Sequence, residues 1–204
     1  MLTLYHAPQS RSSRIVALIE DLGIRDRVQV QTISIARMDG TDGADARNPH
    51  PEGKVPLLIQ DGVAIRESTA IALHLAELFP EAGLALPVDH PERGLMLSWL
   101  AWYGGVLEPV VVFAFGKIEH PLLHLTFRGL PEAQARLVEA FADRRTWLAG
   151  NRYTIADLIV ASTFQWAPHL IPDDAAVKDW VVRCGSRPAA RLVAEEDARL
   201  LKAG

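Results

Sequence analysis

Cysteine is almost absent. Cys184 is the only one in 204 residues, which excludes an intrachain disulfide, a Cys-x-x-Cys redox pair and a cysteine-based metal site. An excess of basic charge is missing as well: 21 lysines and arginines face 25 aspartates and glutamates, a formal net charge of -4. That balance gives no electrostatic case for nucleic acid or an anionic membrane as partner. Long apolar runs are also lacking. The longest uncharged apolar stretch, residues 94–107, is 14 residues and stops at Glu108 and Pro109, short of the roughly 20 that a spanning helix needs. No secretory leader pattern is visible, because the apolar start at residues 1–5 is followed by Arg11 and Arg14; a cytoplasmic location is the expected default. No histidine pair has metal-binding spacing with a carboxylate, so no metal is expected. A hydrolase is not indicated either: there is no Gly-x-Ser-x-Gly elbow, and His74, His90, His120, His124 and His169 show no arrangement that points to a serine.

What is present is an ordinary globular composition, 49% hydrophobic and 23% charged, long enough for one large domain or two small ones. Leu2-Thr3-Leu4-Tyr5 reads as a strand, and the apolar set Ile15, Val16, Leu18, Ile19 and Leu22 as a helix ending at Gly23,. Residues 28–35 alternate enough for a second strand. Residues 38–52 form a polar loop, in which Asn48-Pro49-His50-Pro51 is held extended by its prolines,. Residues 81–89 read as a linker, and beyond it only helices are expected: 92–116, which Pro109 kinks or divides, then 131–148, 154–166, 174–184 and 188–201,. Thr154-Ile155-Ala156-Asp157 has capping-box spacing,.

The stretch with most chemistry in it is residues 53–72. Val55 to Ile59 reads as a strand, Asp61-Gly62 is a strong two-residue hairpin signal, Val63 to Ile65 returns, and Glu67-Ser68-Thr69 opens a helix,. Pro56 has no N–H to give a ladder, so Val55-Pro56 lies at an edge or bends the chain. At the helix start a ligand carboxylate finds the Ser68 hydroxyl and backbone N–H groups, and the Glu67 carboxylate suits an ammonium. His50 and Lys54, beside that bend, are candidates for a second carboxylate of a peptide ligand.

Gly53-Lys54-Val55-Pro56-Leu57-Leu58, the hairpin, and then Glu67-Ser68-Thr69-Ala70-Ile71 resemble the glutathione transferase superfamily. The resemblance implies an α/β thioredoxin-like domain over 1–80, a linker over 81–89 and an all-α domain over 90–204. It implies a cis Val55–Pro56 peptide that pairs with the cysteinyl backbone of glutathione, and a Glu67-Ser68 pair that holds its γ-glutamyl end. Tyr5-His6-x-x-x-Ser10-Arg11-Ser12-x-Arg14 looks like the serine-type start of fungal and bacterial members. Ser10, ahead of the first helix, is the expected hydrogen-bond donor to the glutathione thiolate and not a nucleophile; Ser12 and Ser13 are its competitors, and Ser12 is also a candidate helix N-cap. Trp99, Trp102, Tyr103 and Phe113 are candidates for an electrophile pocket. Glutathione as co-substrate, a small hydrophobic electrophile and a homodimer follow from the same resemblance. The expected activity is thiolate attack on an electrophile or peroxide. The alternatives are a non-catalytic module of the same fold and a glutathione-dependent isomerase or dehalogenase.

Overall fold

The computed structural model describes residues 1–37 and 40–203; Met38 and Asp39, at the start of the expected loop, and Gly204 lie outside the described residues. The chain divides into two compact units, Met1–Gly83 with Ser186–Gly204, and Leu84–Gly185.

The first unit is built on a four-stranded sheet of order β2-β1-β3-β4, from β1 (Leu2–His6), β2 (Val28–Thr32), β3 (Leu57–Gln60) and β4 (Val63–Ile65). β1 and β2 are parallel and joined by helix α1 (Ser13–Asp21), while β3 and β4 are antiparallel neighbours. In register, Leu4 lies opposite Val30 on one side and Leu58 on the other. Leu4, Leu58, Ile15, Leu18 and Ile19 are fully buried, each contributing roughly 1.5–3 kcal/mol. α1 ends as its sequence dictates: Gly23 takes φ 68°, its N–H reaches the Glu20 carbonyl, and the Ile24 N–H reaches back to Ile19 at 3.1 Å,. Between β3 and β4, Asp61 and Gly62 both take positive φ, as a tight hairpin turn requires,. Helix α2 (Ser68–Leu78) then lays Ile71, Ala72, Leu75 and Ala76 into the core.

The second unit contains α3 (Arg93–Trp102), α4 (Glu108–Gly116), α5 (Pro121–Phe127), α6 (Leu130–Phe141), α7 (Ile155–Trp166) and α8 (Ala175–Gly185). α5 lies in a stretch where no helix was expected, and α6 stops at Phe141 where the expected helix ran to 148. The expected break at Pro109 is realised upstream, as a π-type turn over Tyr103–Leu107. Pro109 has no N–H for the Gly105 carbonyl, so the winding loosens in the turn ahead of it, where Gly104 and Gly105 allow it. The helical run nevertheless continues unbroken over Arg93–Gly116, 24 residues. By length and composition alone that is enough to cross a membrane, a test that core helices also pass; 44% of its most apolar stretch is buried inside the protein. This corrects the shorter count made from uncharged residues alone.

α7 opens on the expected capping box, with the Thr154 hydroxyl accepting from Ala156 N–H and the Asp157 carboxylate accepting from Thr154 N–H. Asp157 also takes the Leu148 N–H and the Trp180 indole N–H, both at 2.9 Å. Burial pushes the Asp157 carboxyl above its ordinary range, against the pull of these donors,. The final helix, α9 (Pro188–Ala203), belongs to the first unit. It is fixed to α1 by Arg187, whose guanidinium donates to both oxygens of Asp21 at 2.8 and 3.1 Å.

Candidate functional site

Three loops of the first unit carry the candidate residues, one ahead of α1, one ahead of β3 and one ahead of α2. The turn before α1 is organised by hydroxyls. Ser12 occupies the N-cap position of α1 but its side chain makes no cap bond. Its oxygen instead lies 2.8 Å from His6 Nδ1 and 2.7 Å from Ser10 Oγ, and accepts the Ala7 N–H at 3.1 Å. Ser12 is fully buried; Ser10 and Ser13 are only half-buried. The Ser13 hydroxyl donates to Asp197 at 2.5 Å. α1 begins at Ser13, so Ser10 stands three residues ahead of it rather than at its tip.

His6 figures in the sequence reading only as a member of the Tyr5-to-Arg14 pattern, without a role, and Asp197 not at all. His6 is 2% exposed and Asp197 3%, and His6 Nε2 lies 3.0 Å from Asp197 Oδ1. The reading that no histidine points to a serine therefore needs correction at a ring it did not consider.

The loop ahead of β3 is built by its own side chains. Asn48 accepts the His50 N–H at 3.0 Å and donates to the Lys54 carbonyl at 3.2 Å, and His50 Nδ1 accepts the Glu52 N–H at 3.1 Å. His50 is thus buried with one ring nitrogen already used. Lys54 is exposed and paired with Glu52; that hydrogen bond raises the lysine above its ordinary range and lowers the glutamate below its own. Lys54 is also within electrostatic reach of Glu67 and Arg11, so the three loops share one charged neighbourhood. The Val55–Pro56 peptide is cis.

Glu67 has the most unusual backbone here. At φ 67° and ψ 124° it precedes α2 without a side-chain cap bond, a conformation that costs a non-glycine residue roughly 1–3 kcal/mol. Its carboxylate is exposed and is not used on the helix, while Ser68 behind it is buried. The first bond of α2 runs from Ile71 N–H to the Glu67 carbonyl at 2.9 Å, so the N–H groups before it lie at the positive end of the helix dipole.

In the second unit, Trp99, Trp102 and Tyr103 are buried and Phe113 is half-buried. Trp99 and Trp102 meet edge to face at 5.2 Å, with the Arg136 guanidinium 4.9 and 5.1 Å from their ring centres. The Tyr103 hydroxyl donates to Glu108, and Phe113 packs on Phe127 at 5.8 Å. Among the described residues no group of three His, Cys, Asp or Glu side chains is placed to hold a metal ion.

Residues 4–83 match the family model described as glutathione S-transferase, N-terminal domain, and residues 111–188 the one described as glutathione S-transferase, C-terminal domain. Glutathione S-transferase GST-4.5 of Xanthomonas campestris is 30% identical over 62% of this chain and 68% of its own length. Disulfide-bond oxidoreductase YfcG of Escherichia coli is 29% identical over 93% and 92%. A sphingomonad glutathione S-transferase solved in complex with glutathione superposes with a TM-score of 0.73, at 22% identity over 96% of this chain and 98% of that one.

Proposed function

The chain belongs to the glutathione S-transferase superfamily, and from that premise we propose that it binds glutathione and presents its thiolate to a small hydrophobic electrophile or a peroxide. Ser10 is the donor to the sulfur in this reading. The observation that carries it is the contrast between two neighbouring hydroxyls: Ser12 is enclosed and surrounded by partners, whereas Ser10, 2.7 Å away, keeps an accessible side. A free thiol with a pKa of ~8.5 is only a few per cent ionised at neutral pH, and a drop of ~2 units makes thiolate the major form. Glu67 and Ser68 hold the γ-glutamyl end, the Val55 backbone next to Pro56 pairs with the cysteinyl unit, and Lys54 and His50 take the glycyl carboxylate. The unused Glu67 carboxylate and its unfavourable φ support that role, since strained backbone concentrates at ligand sites,.

Residues 1–80 then form the glutathione-binding part, 81–89 the linker, and the helices from residue 90 the part that shapes the electrophile pocket, with Trp99, Trp102, Tyr103 and Phe113 as its candidate walls; the exception is α9, which belongs to the first unit. A cytoplasmic homodimer is the expected setting. A second reading, a glutathione-dependent disulfide reductase, is favoured by the nearly full-length similarity to YfcG. Because Cys184 is buried, the disulfide would be reduced by two glutathiones, releasing two thiols and oxidised glutathione.

The test is glutathione titration with ultraviolet detection of bound thiolate in the native protein, Ser10→Ala and Ser12→Ala. Loss of the thiolate signal in Ser10→Ala is expected; an unchanged signal there overturns the assignment. Assays with an aryl halide and with a mixed disulfide then separate the two readings.

A further inference from the structure

A hydrogen-bonded chain of four side chains runs from the last helix to Ser10, and its donors and acceptors can be counted. Asp197 on α9 has His6 Nε2 at 3.0 Å on one oxygen, and accepts the Gln9 N–H at 2.7 Å and the Ser13 hydroxyl at 2.5 Å on the other. Burial opposes its ionisation, yet the bonds from His6, Ser13 and Gln9 outweigh it and hold the carboxyl below its ordinary range,. A carboxylate facing Nε2 requires a hydrogen on that nitrogen, because otherwise two lone pairs would confront each other. What remains open to change is Nδ1, 2.8 Å from Ser12 Oγ.

Ser12 has one hydrogen to give and two lone pairs to receive with, and the Ala7 N–H takes one lone pair. With Nδ1 bare, the Ser12 hydrogen turns to the ring, and its second lone pair draws the Ser10 hydrogen inward across 2.7 Å. With a hydrogen on Nδ1, both Ser12 lone pairs are filled. The Ser12 hydrogen then goes to Ser10 Oγ or to the Ala7 carbonyl at 3.2 Å, and in either case Ser10's own hydrogen finds no acceptor in the chain. Ser10 Oγ already accepts the Ser12 N–H at 3.1 Å, so its hydrogen faces outward.

We infer that Asp197 and His6 are positioning residues that set the direction of the Ser10 hydroxyl, which donates to the glutathione sulfur only while the imidazole carries both protons. This rests on the reading of Ser10 as the thiolate donor. The other charged groups near the ring are Arg25 from the turn before β2, and Glu196 and Arg199 from α9, which line a groove with His6. Arg25 is paired with Glu20 at 3.2 Å and reaches Glu196 at 3.9 Å, leaving Asp197 as the charge hydrogen-bonded to the ring. Ser12, His6 and Asp197 share the residue types of a hydrolytic triad, but Ser12 is 0% exposed, so no substrate carbonyl can reach its oxygen.

The test is the pH dependence of kcat and kcat/KM, with bound thiolate read in parallel, in the native protein, Asp197→Asn and Ser10→Ala. The native profile falls at alkaline pH as the second imidazole proton is lost. Removing the carboxylate disfavours that proton, so Asp197→Asn moves the alkaline limb to lower pH by about one unit or more. It also lowers kcat at neutral pH about tenfold, with KM for glutathione changed less than about threefold. A merely structural role would lower the folded fraction and leave the limb in place. Should Asp197→Asn not fold, the native protein decides: the His6 ring resonance, assigned by its loss in His6→Gln, must titrate where kcat/KM falls. A limb that stays in place in Asp197→Asn, or a His6 resonance that titrates elsewhere, overturns the inference and spares Ser10. Unchanged thiolate in Ser10→Ala overturns the reading beneath it.

Discussion

Among the described residues, each unit buries one aspartate whose carboxylate lies at the start of a helix, α7 for Asp157 and α1 for Asp197, and the two are used differently. Asp157, in the second unit, gathers the N–H of Thr154, the N–H of Leu148 and the indole of Trp180, all neutral donors. Burial still dominates, and its carboxyl is pushed up. Asp197, in the first unit, is less deeply enclosed and has an imidazole as partner, and its carboxyl is held down. Asp157 ties the first turn of α7 to its surroundings and ends there. Asp197 is one end of a series of hydroxyls whose other end is partly open at Ser10. The same residue type thus serves folding in one place and, on the proposed reading, a site in the other, and its partners make the difference.

The largest expected effect is on the folding side. Asp157→Ala strands several buried donors and should cost about 3–5 kcal/mol in urea unfolding. The pH profile of the protein that stays folded should be unchanged; a displaced profile would break the contrast. Asp197→Asn should cost less, about 2 kcal/mol, and the two losses should depend on pH in opposite senses. Asp197 is lowered from 3.8, so its contribution is present above that value and lost as pH falls, and the gap between native protein and Asp197→Asn closes in acid. Asp157 is raised from 3.8, so its contribution is greatest below that value and declines as pH rises through the folded-state value; the gap for Asp157→Asn is widest in acid. Unfolding curves between about pH 3 and 7 measure both, and parallel trends would contradict the assignment.

Helix starts extend the comparison. Thr154→Ala removes a side-chain cap and should cost about 1 kcal/mol with glutathione affinity unchanged,. Glu67→Gly relieves a positive φ and should leave stability equal or raise it by up to about 1 kcal/mol,. Calorimetric affinity for glutathione should nevertheless fall at least tenfold. A variant that bound as well as the native protein would show that Glu67 holds its conformation for another reason.

Features set by residues close in sequence were legible. Asp61-Gly62, Gly23 and Thr154 through Asp157 each specify a turn or cap within a few residues, and each forms where expected. Two features that were not legible have a common cause. Ser12 takes the N-cap position that the sequence offered, but its hydroxyl is taken by a ring and a carbonyl that only the fold brings close. Asp197 drew no reading at all, since nothing local relates it to a histidine on the first strand. The π turn over Tyr103–Leu107 was visible only as a proline that ought to disturb something, since where the disturbance falls depends on packing.

His6 and Asp197 are 191 positions apart, and that separation sets an order of events at the ribosome. The sheet, α1 and α2 can form early, because domains generally fold as they emerge, amino-terminal part first. The contacts that Asp197 makes with Gln9, Ser13 and His6 must wait until α9 has been synthesised. On the proposed reading, a nascent chain that has not yet made α9 would have the loops proposed to hold glutathione before it had the carboxylate proposed to orient Ser10, which would keep it chemically quiet.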